Sequence, residues 1–367
     1  MATALDNPRY PHCPFSDCDS HSDPGTWRYS RKGFFLRRAH PQRIQRYRCS
    51  RCKRTFSSQT FSTTYWLKRP DIQNLVFHRV GDGCSAFRQV ARELGVAYTT
   101  VQRQIERLGR HCLLFHERLR RDLPPPRERL VLDGFHSFEF GQYWPFEINL
   151  LVGADSHFVY GFQDAELRRI GRMTTYQKKK RAQLEAAHGR PDTQATRKSV
   201  QDLLGRQLPI GSHIQLSTDE HKAYPRAIAR LSGRLIEHDT TSSKARRTQH
   251  NPLWAVNLAD GLIRHAGANH KRETIAFSKR RQGAMYRNAI WQVLRNYVKP
   301  SSENRKTPPP GVTVGAIRRR LPVEGILRSR LFPWRFELEG WMEACYYGRI
   351  PTRRIGRCRE HGLKLAI

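Results

Sequence analysis

Apolar and polar positions divide this chain into regions with different periods. Ile214 and Leu216 alternate with polar residues in a short run that delivers Asp219, and the chain then enters an amphipathic helix from Tyr224 to Leu231. Such a pattern predicts a half-buried strand with a carboxylate at its open end, where backbone geometry is fixed and a ligand can reach. Arg129 to Phe135 reads as a second apolar strand ending in Asp133. Runs over 146–154 and 157–162, with a turn at Asp155–Ser156, complete a β-meander. Upstream the period becomes helical. After Ser85, read as a cap, Phe87, Val90, Ala91 and Leu94 share one face; Gly95 marks a stop; Val101, Ile105 and Leu108 then define a second helix. Helical spacing is also read from Ile263 through Ala266, Ile275 and Phe277, with Glu273 among them.

Composition narrows the partner. The 367 residues carry 66 Lys plus Arg against 32 Asp plus Glu, a formal charge of +34. Charge of this size opposes the compact state and calls for a polyanion. The apolar runs, such as Leu150–Val152, are too short to span a membrane, and the region around Asp6, Pro8 and Pro11 lacks the apolar segment of an export signal. The expectation is a cytoplasmic, nucleoid-associated protein that binds nucleic acid. Hydrophobic content is only 38%, yet 17 Phe, 13 Tyr and 7 Trp suffice for real cores. The length exceeds what one core serves, so several units are expected.

Four of the eight cysteines form two close pairs, Cys13-x4-Cys18 and Cys49-x2-Cys52. Two knuckles of this kind suit four thiolates around a structural zinc. Tyr47 and Phe56 flank the second knuckle, and Arg28, Arg31, Lys32, Arg37 and Arg38 crowd the stretch between the pairs, as on a ribbon laid against phosphates. His12 and His21 could substitute as ligands, but read first as spare solvent histidines. The two helices about Gly95 fit a helix-turn-helix, whose second helix would offer Tyr98, Thr99, Thr100, Gln102 and Arg103 to a major groove. Arg107, Arg110, Arg118, Arg120 and Arg121 extend a basic face toward the prolines at 124–126, read as a linker. The division expected is 1–66 (zinc ribbon), 67–123 (helix-turn-helix), 124–300 (α/β unit with a charged helical insertion over about 164–208) and 301–367 (a basic, aromatic C-terminal segment).

Two strands ending in Asp133 and Asp219 can lie side by side, about 4.8 Å apart, and share a divalent cation. Glu273 on a following helix would supply a third acid, with Arg280 seven residues later on the same helical face and Lys279 beside it to grip a phosphate. Acids belong in so basic a chain if paired Mg²⁺ ions, held by carboxylates, activate one oxygen and stabilise another on a single phosphorus.

Ribbon, helix-turn-helix, strand-Asp, strand-Asp and helix-Glu together resemble the bacterial insertion-sequence transposases of the DDE class, over roughly residues 10–300. The resemblance implies a ribonuclease-H-like fold, a mixed five-stranded sheet with flanking helices. It implies Asp133, Asp219 and Glu273 as ligands of Mg²⁺ or Mn²⁺, and double-stranded DNA (element ends and target) as partner. It further implies strand cleavage and strand transfer, and a homo-oligomer in the active complex. The sequence departs from the pattern at Asn269, where many such enzymes carry Arg, and at Arg280, where they carry Lys; Asp239 and Asp260 stand as alternatives to Glu273. The other reading is a DNA-binding regulator whose transposase-like domain is inert.

Overall fold

Strand β4 (Leu130–Phe138) is the centre of the molecule. It pairs antiparallel with β5 (Pro145–Gly153) on one side and parallel with β7 (His213–Asp219) on the other. With β6 (Val159–Glu166) beyond β5 and β8 (Leu235–Thr241) beyond β7, the sheet has the order β6-β5-β4-β7-β8. The computed structural model describes residues 10–25, 27–271, 274–304 and 306–353.

Burial follows from position in the sheet. β5 is buried at almost every residue, as a central strand covered on both faces must be, whereas the edge strand β8 is half-exposed. Between β6 and β7 the chain forms α5 (Thr175–His188) and α6 (Ala195–Gln207). Only α5 fits the expected charged insertion, since none of its residues is buried. α6 buries Val200, Leu203 and Leu204 against β5 and β6, so it is a layer of the core rather than an addition to it. α7 (Ala223–Ile228) joins the two parallel strands, and α8 (Trp254–Ala266) lies over β4 and β5.

The N-terminal part has a one-turn α1 (Asp19–Ser22) and an antiparallel ribbon of β1 (Tyr29–Leu36), β2 (Arg43–Cys49) and β3 (Thr55–Ser57). Three helices follow: α2 (Gln73–Gly81), α3 (Phe87–Glu93) and α4 (Tyr98–Arg121). Gly95 adopts φ +59° and makes the turn between α3 and α4. The cap of α3 is Ala86, whose amide hydrogen-bonds to Gln89 Oε1; Ser85 instead donates to the Gly83 carbonyl.

Three further expectations are corrected. β4 does not end at Asp133 but continues to Phe138, because it stays paired with β5 from Leu130–Gly153 to Phe138–Pro145. The helix expected through Glu273 stops at Ala266, where Gly267 takes an extended conformation. Helix resumes only in α9 (Arg281–Val293), and the described residues between are turns and bends. Arg280 therefore caps α9 rather than sharing a helical face with Glu273. The basic face of α4 also dissolves: Arg107 and Arg110 are buried, and Arg120 and Arg121 both bind Glu117. Sequence spacing placed Arg107 and Arg110 on a surface because what covers them lies away from α4: the Thr63 carbonyl for Arg107 and Tyr286 of α9 for Arg110.

One apolar core runs through α2–α4, the sheet, α6, α8, α9 and residues 323–350. One close approach of backbone within it is at Gly109 of α4. A Cβ there would stand 2.4 Å from Tyr286 Cβ and 2.7 Å from its Cα. Alanine ordinarily favours a helix by about 1 kcal/mol over glycine. Here the neighbour is backbone and cannot move aside, so Gly109→Ala is expected to lower stability by about 2 kcal/mol in urea unfolding.

Candidate active site and metal centre

The acids are placed by strand register. Leu130 lies opposite Leu216 and Val131 opposite Ser217 in the parallel pair. Two residues further along each strand stand Asp133 and Asp219, so their side chains leave the same face of the sheet. Phe135 shares that face, and its ring lies beneath the guanidinium of Arg264, 5.2 Å away, on α8. One turn before Arg264 on α8 is Asp260. The stripe Asp260–Arg264 thus overlies the stripe Asp133–Phe135.

Electrostatics report the same crowding. Burial, then the charge of Asp219, raises the Asp133 carboxyl to about 6, despite the Gly134 amide donating to its Oδ1 at 2.7 Å. Burial, then Asp133, pushes Asp260 well above the ordinary carboxylate range, against the opposing pull of Arg264 and Arg247. Asp260 Oδ1 is enclosed and has no hydrogen-bond partner. Tyr224, the second residue of α7, is buried, and its hydroxyl is held protonated by burial and then by Asp133, Asp219, Glu147 and Asp260. Asp219 itself accepts from the His221 amide at 2.9 Å, which orients one oxygen at the start of the turn.

Glu147 is different. It lies opposite His136 on β5, two residues from Asn149, which lies opposite Gly134. By strand alternation it belongs to the other face from Asp133, and Asn149 donates to it at 3.4 Å. Glu273 lies outside the described residues. Asp239, on β8 opposite Ser217, has the register of Val131 rather than of Asp133.

Asp133 feels the charge of Asp219, and Asp260 feels that of Asp133, but among the described residues these three do not bring their carboxylate oxygens as close together as the cysteines of the ribbon bring their sulfurs. The sequence held a signal for Asp260 beyond its mention as an alternative. It falls four residues after Val256 and three before Ile263, both buried, so a carboxylate stands beside the apolar stripe of an amphipathic helix.

In the ribbon, Cys13, Cys18, Cys49 and Cys52 bring their sulfurs within 4.8 Å of one another. Cys13 and Cys52 are 3.8 Å apart, and Cys18 and Cys49 are 4.0 Å apart. A tetrahedral zinc with bonds of about 2.3 Å requires sulfur separations of about 3.8 Å. The four thiols therefore fit that ion. Burial opposes ionisation of Cys49, but backbone amides of the knuckle and the Trp27 indole, which donates at 3.3 Å, outweigh it and bring the thiol down to about 7. His12 and His21 are not solvent histidines. Both are buried, and each places Nδ1 on the Cys13 carbonyl, at 3.0 and 2.6 Å. Burial lowers both ring pKa values, that of His12 to about 4. The aromatic side chains of Phe61, Phe332 and Trp334 cover them.

Of the groove-reading candidates, Tyr98, Thr99, Gln102 and Arg103 are exposed at the start of α4, and Thr100 is partly covered. Lys279 lies with its ammonium 4.0 Å from the Phe277 ring centre, and Arg280 stands at the N-terminus of α9. Among the described residues no helix is long and apolar enough to cross a membrane.

Neither a protein-family model nor a curated protein matches the sequence. Among solved structures, the cryo-electron-microscopy structure of a simian T-cell lymphotropic virus intasome in complex with the PP2A regulatory subunit B56 gamma is similar at a TM-score of 0.26 and 15% identity. The match covers 67% of this chain and 74% of that one. A likeness this loose says nothing about activity.

Two measurements test the site. The purified chain is expected to hold one zinc by elemental analysis, and Cys49→Ser to lose it. Without added magnesium, Asp133 binds its proton more tightly folded, at about 6, than unfolded, at about 3.9. The stability it contributes is complete below about pH 4 and is lost as pH rises through 6. Between pH 5 and 7 the wild type should lose about 1 kcal/mol that Asp133→Asn retains, read from paired urea titrations.

Proposed function

We propose that the chain is a DNA transposase that cuts at element ends and joins the resulting 3′-hydroxyl to target DNA. The observation that carries this reading is the placement of Asp133 and Asp219 on one face of the sheet, with Asp260 on α8 near enough to Asp133 to feel its charge, in a chain of net charge +34. A regulator has no use for three mutually repelling acids at such a place; phosphoryl transfer does. The strand order, three antiparallel strands continued by two parallel ones, supports the ribonuclease-H-like assignment.

In this reading Asp133 and Asp219 hold Mg²⁺ from adjacent strands, and Asp260 supplies the third carboxylate from α8. Glu273 is the acid the resemblance implies for that role; Asp260 is favoured because its Oδ1 is enclosed, unpartnered and beside Asp133. Bound Mg²⁺ would supply Lewis-acid activation of the attacking oxygen and neutralise the leaving one. The protein's own residues do the positioning. The Gly134 amide fixes one oxygen of Asp133, and the His221 amide fixes one of Asp219. Arg264 and Arg247 balance Asp260, and Tyr224 closes the far side of the cluster as a neutral hydroxyl. Tyr98, Thr99, Gln102 and Arg103 read the element end in the major groove, with Thr100 behind them. Lys279 and Arg280 neutralise phosphates near the cut. Zinc in the ribbon is structural, since four thiolates leave no open position.

The test is strand cleavage and strand transfer on DNA carrying the element's ends, with Mg²⁺ or Mn²⁺. Asp219→Asn and Asp260→Asn are each expected to cut product formation by about a thousandfold, the scale of losing several kcal/mol of charge stabilisation, with DNA binding intact. Full activity in Asp260→Asn with loss in Glu273→Gln would return the third role to Glu273. Tight binding without products in the wild type would overturn the enzyme and favour the regulator.

A further inference from the structure

Between the β1–β2 hairpin and the chain at 65–68 lies an open cleft of about 760 Å³. Its walls are aromatic and cationic. Trp66 stands 74% exposed, and Phe35 of the hairpin, 41% exposed, lines the same cleft. Arg38, Arg46 and Lys68 line the same space, and no acidic side chain does. Among the described residues none of these three cations is in a salt bridge.

Trp66 is held there at a cost. Its backbone has φ +62°, a left-handed conformation that bulky residues rarely take. The Tyr65 ring lies edge-on to it at 6.1 Å, and Leu67 is tied back to Thr64 by a backbone hydrogen bond. A large apolar ring presented to water on a strained backbone, amid unpaired cations, is a poor structural element and a good platform.

We propose that this cleft binds one or two unpaired nucleotides of a DNA strand. Intact duplex offers phosphates to the cations but hides base faces in its stack. An unpaired nucleotide offers both: a base to stack on Trp66, with Phe35 opposite, and phosphates for Arg38, Arg46 and Lys68. An acidic peptide would satisfy the cations and leave the indole without a partner. The site rests on DNA as the partner, in common with the proposed function, but not on metal chemistry.

The experiment uses the full zinc-loaded chain without magnesium. It compares a fluorescent blunt duplex with the same duplex bearing a short single-stranded thymidine tail. The tail should tighten binding of the wild type by about tenfold, the range expected when one base stacks on an aromatic ring. Trp66→Ala should remove that advantage while leaving blunt-duplex affinity and zinc content unchanged, and Trp66→Phe should keep most of it. No tail advantage in the wild type, or equal effects of Trp66→Ala on both DNAs, would overturn the cleft. Cleavage activity is scored separately: a protein that prefers tails through Trp66 yet never cuts DNA refutes the transposase and leaves the cleft standing.

Discussion

Like charges repel, and this fold gathers them. Asp133 and Asp219 are forced together because β4 and β7 pair in parallel at a register that leaves both on one face. Asp260 is pressed onto them because α8 must cover the apolar side of β4 and β5. The backbone hydrogen bonds and apolar burial that fix these elements are strong enough to hold acids where water alone would disperse them. Burial first, and repulsion second, raise the proton affinity of Asp133 and Asp260. Arg247 and Arg264 offset the carboxylates in part, without bringing Asp133 or Asp260 back to the ordinary carboxylate range.

Much of this was legible in the residues. Asp133 and Asp219 could be placed because alternating apolar runs reveal strands and a strand fixes where its acid emerges. The turn at Gly95 could be read because few residues tolerate its backbone, and the cysteine pairs because metal geometry constrains their spacing. Long-range covering could not be read. Arg110 looks like a surface cation until Tyr286, far along the chain, is laid over it, and Arg107 until it donates to the Thr63 carbonyl. His12 and His21 look solvated until Phe332 and Trp334 arrive from the other end. Helix was expected through 267–280 because apolar spacing continues across a gap. Asp260 was within reach, flanked by Val256 and Ile263, but a lone acid in a helix carries no sign of what lies opposite.

The C-terminal stretch binds nearly every part described. The Arg330 amide donates to the Phe61 carbonyl at 2.8 Å, and its side chain to Thr60 at 3.1 Å. His111 in α4 bonds the Ile326 carbonyl. Trp341 donates to Asp164 on β6, and Thr352 reaches Glu139 just past β4. Phe332 is a full member of the ribbon's aromatic cluster with Tyr47, Phe56 and Phe61.

That placement sets an order of events during synthesis. The ribbon is made well before Phe332 and can gather its cysteines at once, but one wall of its aromatic cluster comes from far downstream in the chain. Until then Phe61 and the two histidines beside it face water, and the ribbon is tethered to the body only by the chain. The nascent protein thus passes through a stage in which its cysteine ribbon exists without a fixed position relative to the acids. A single downstream segment then locks ribbon and sheet into one frame.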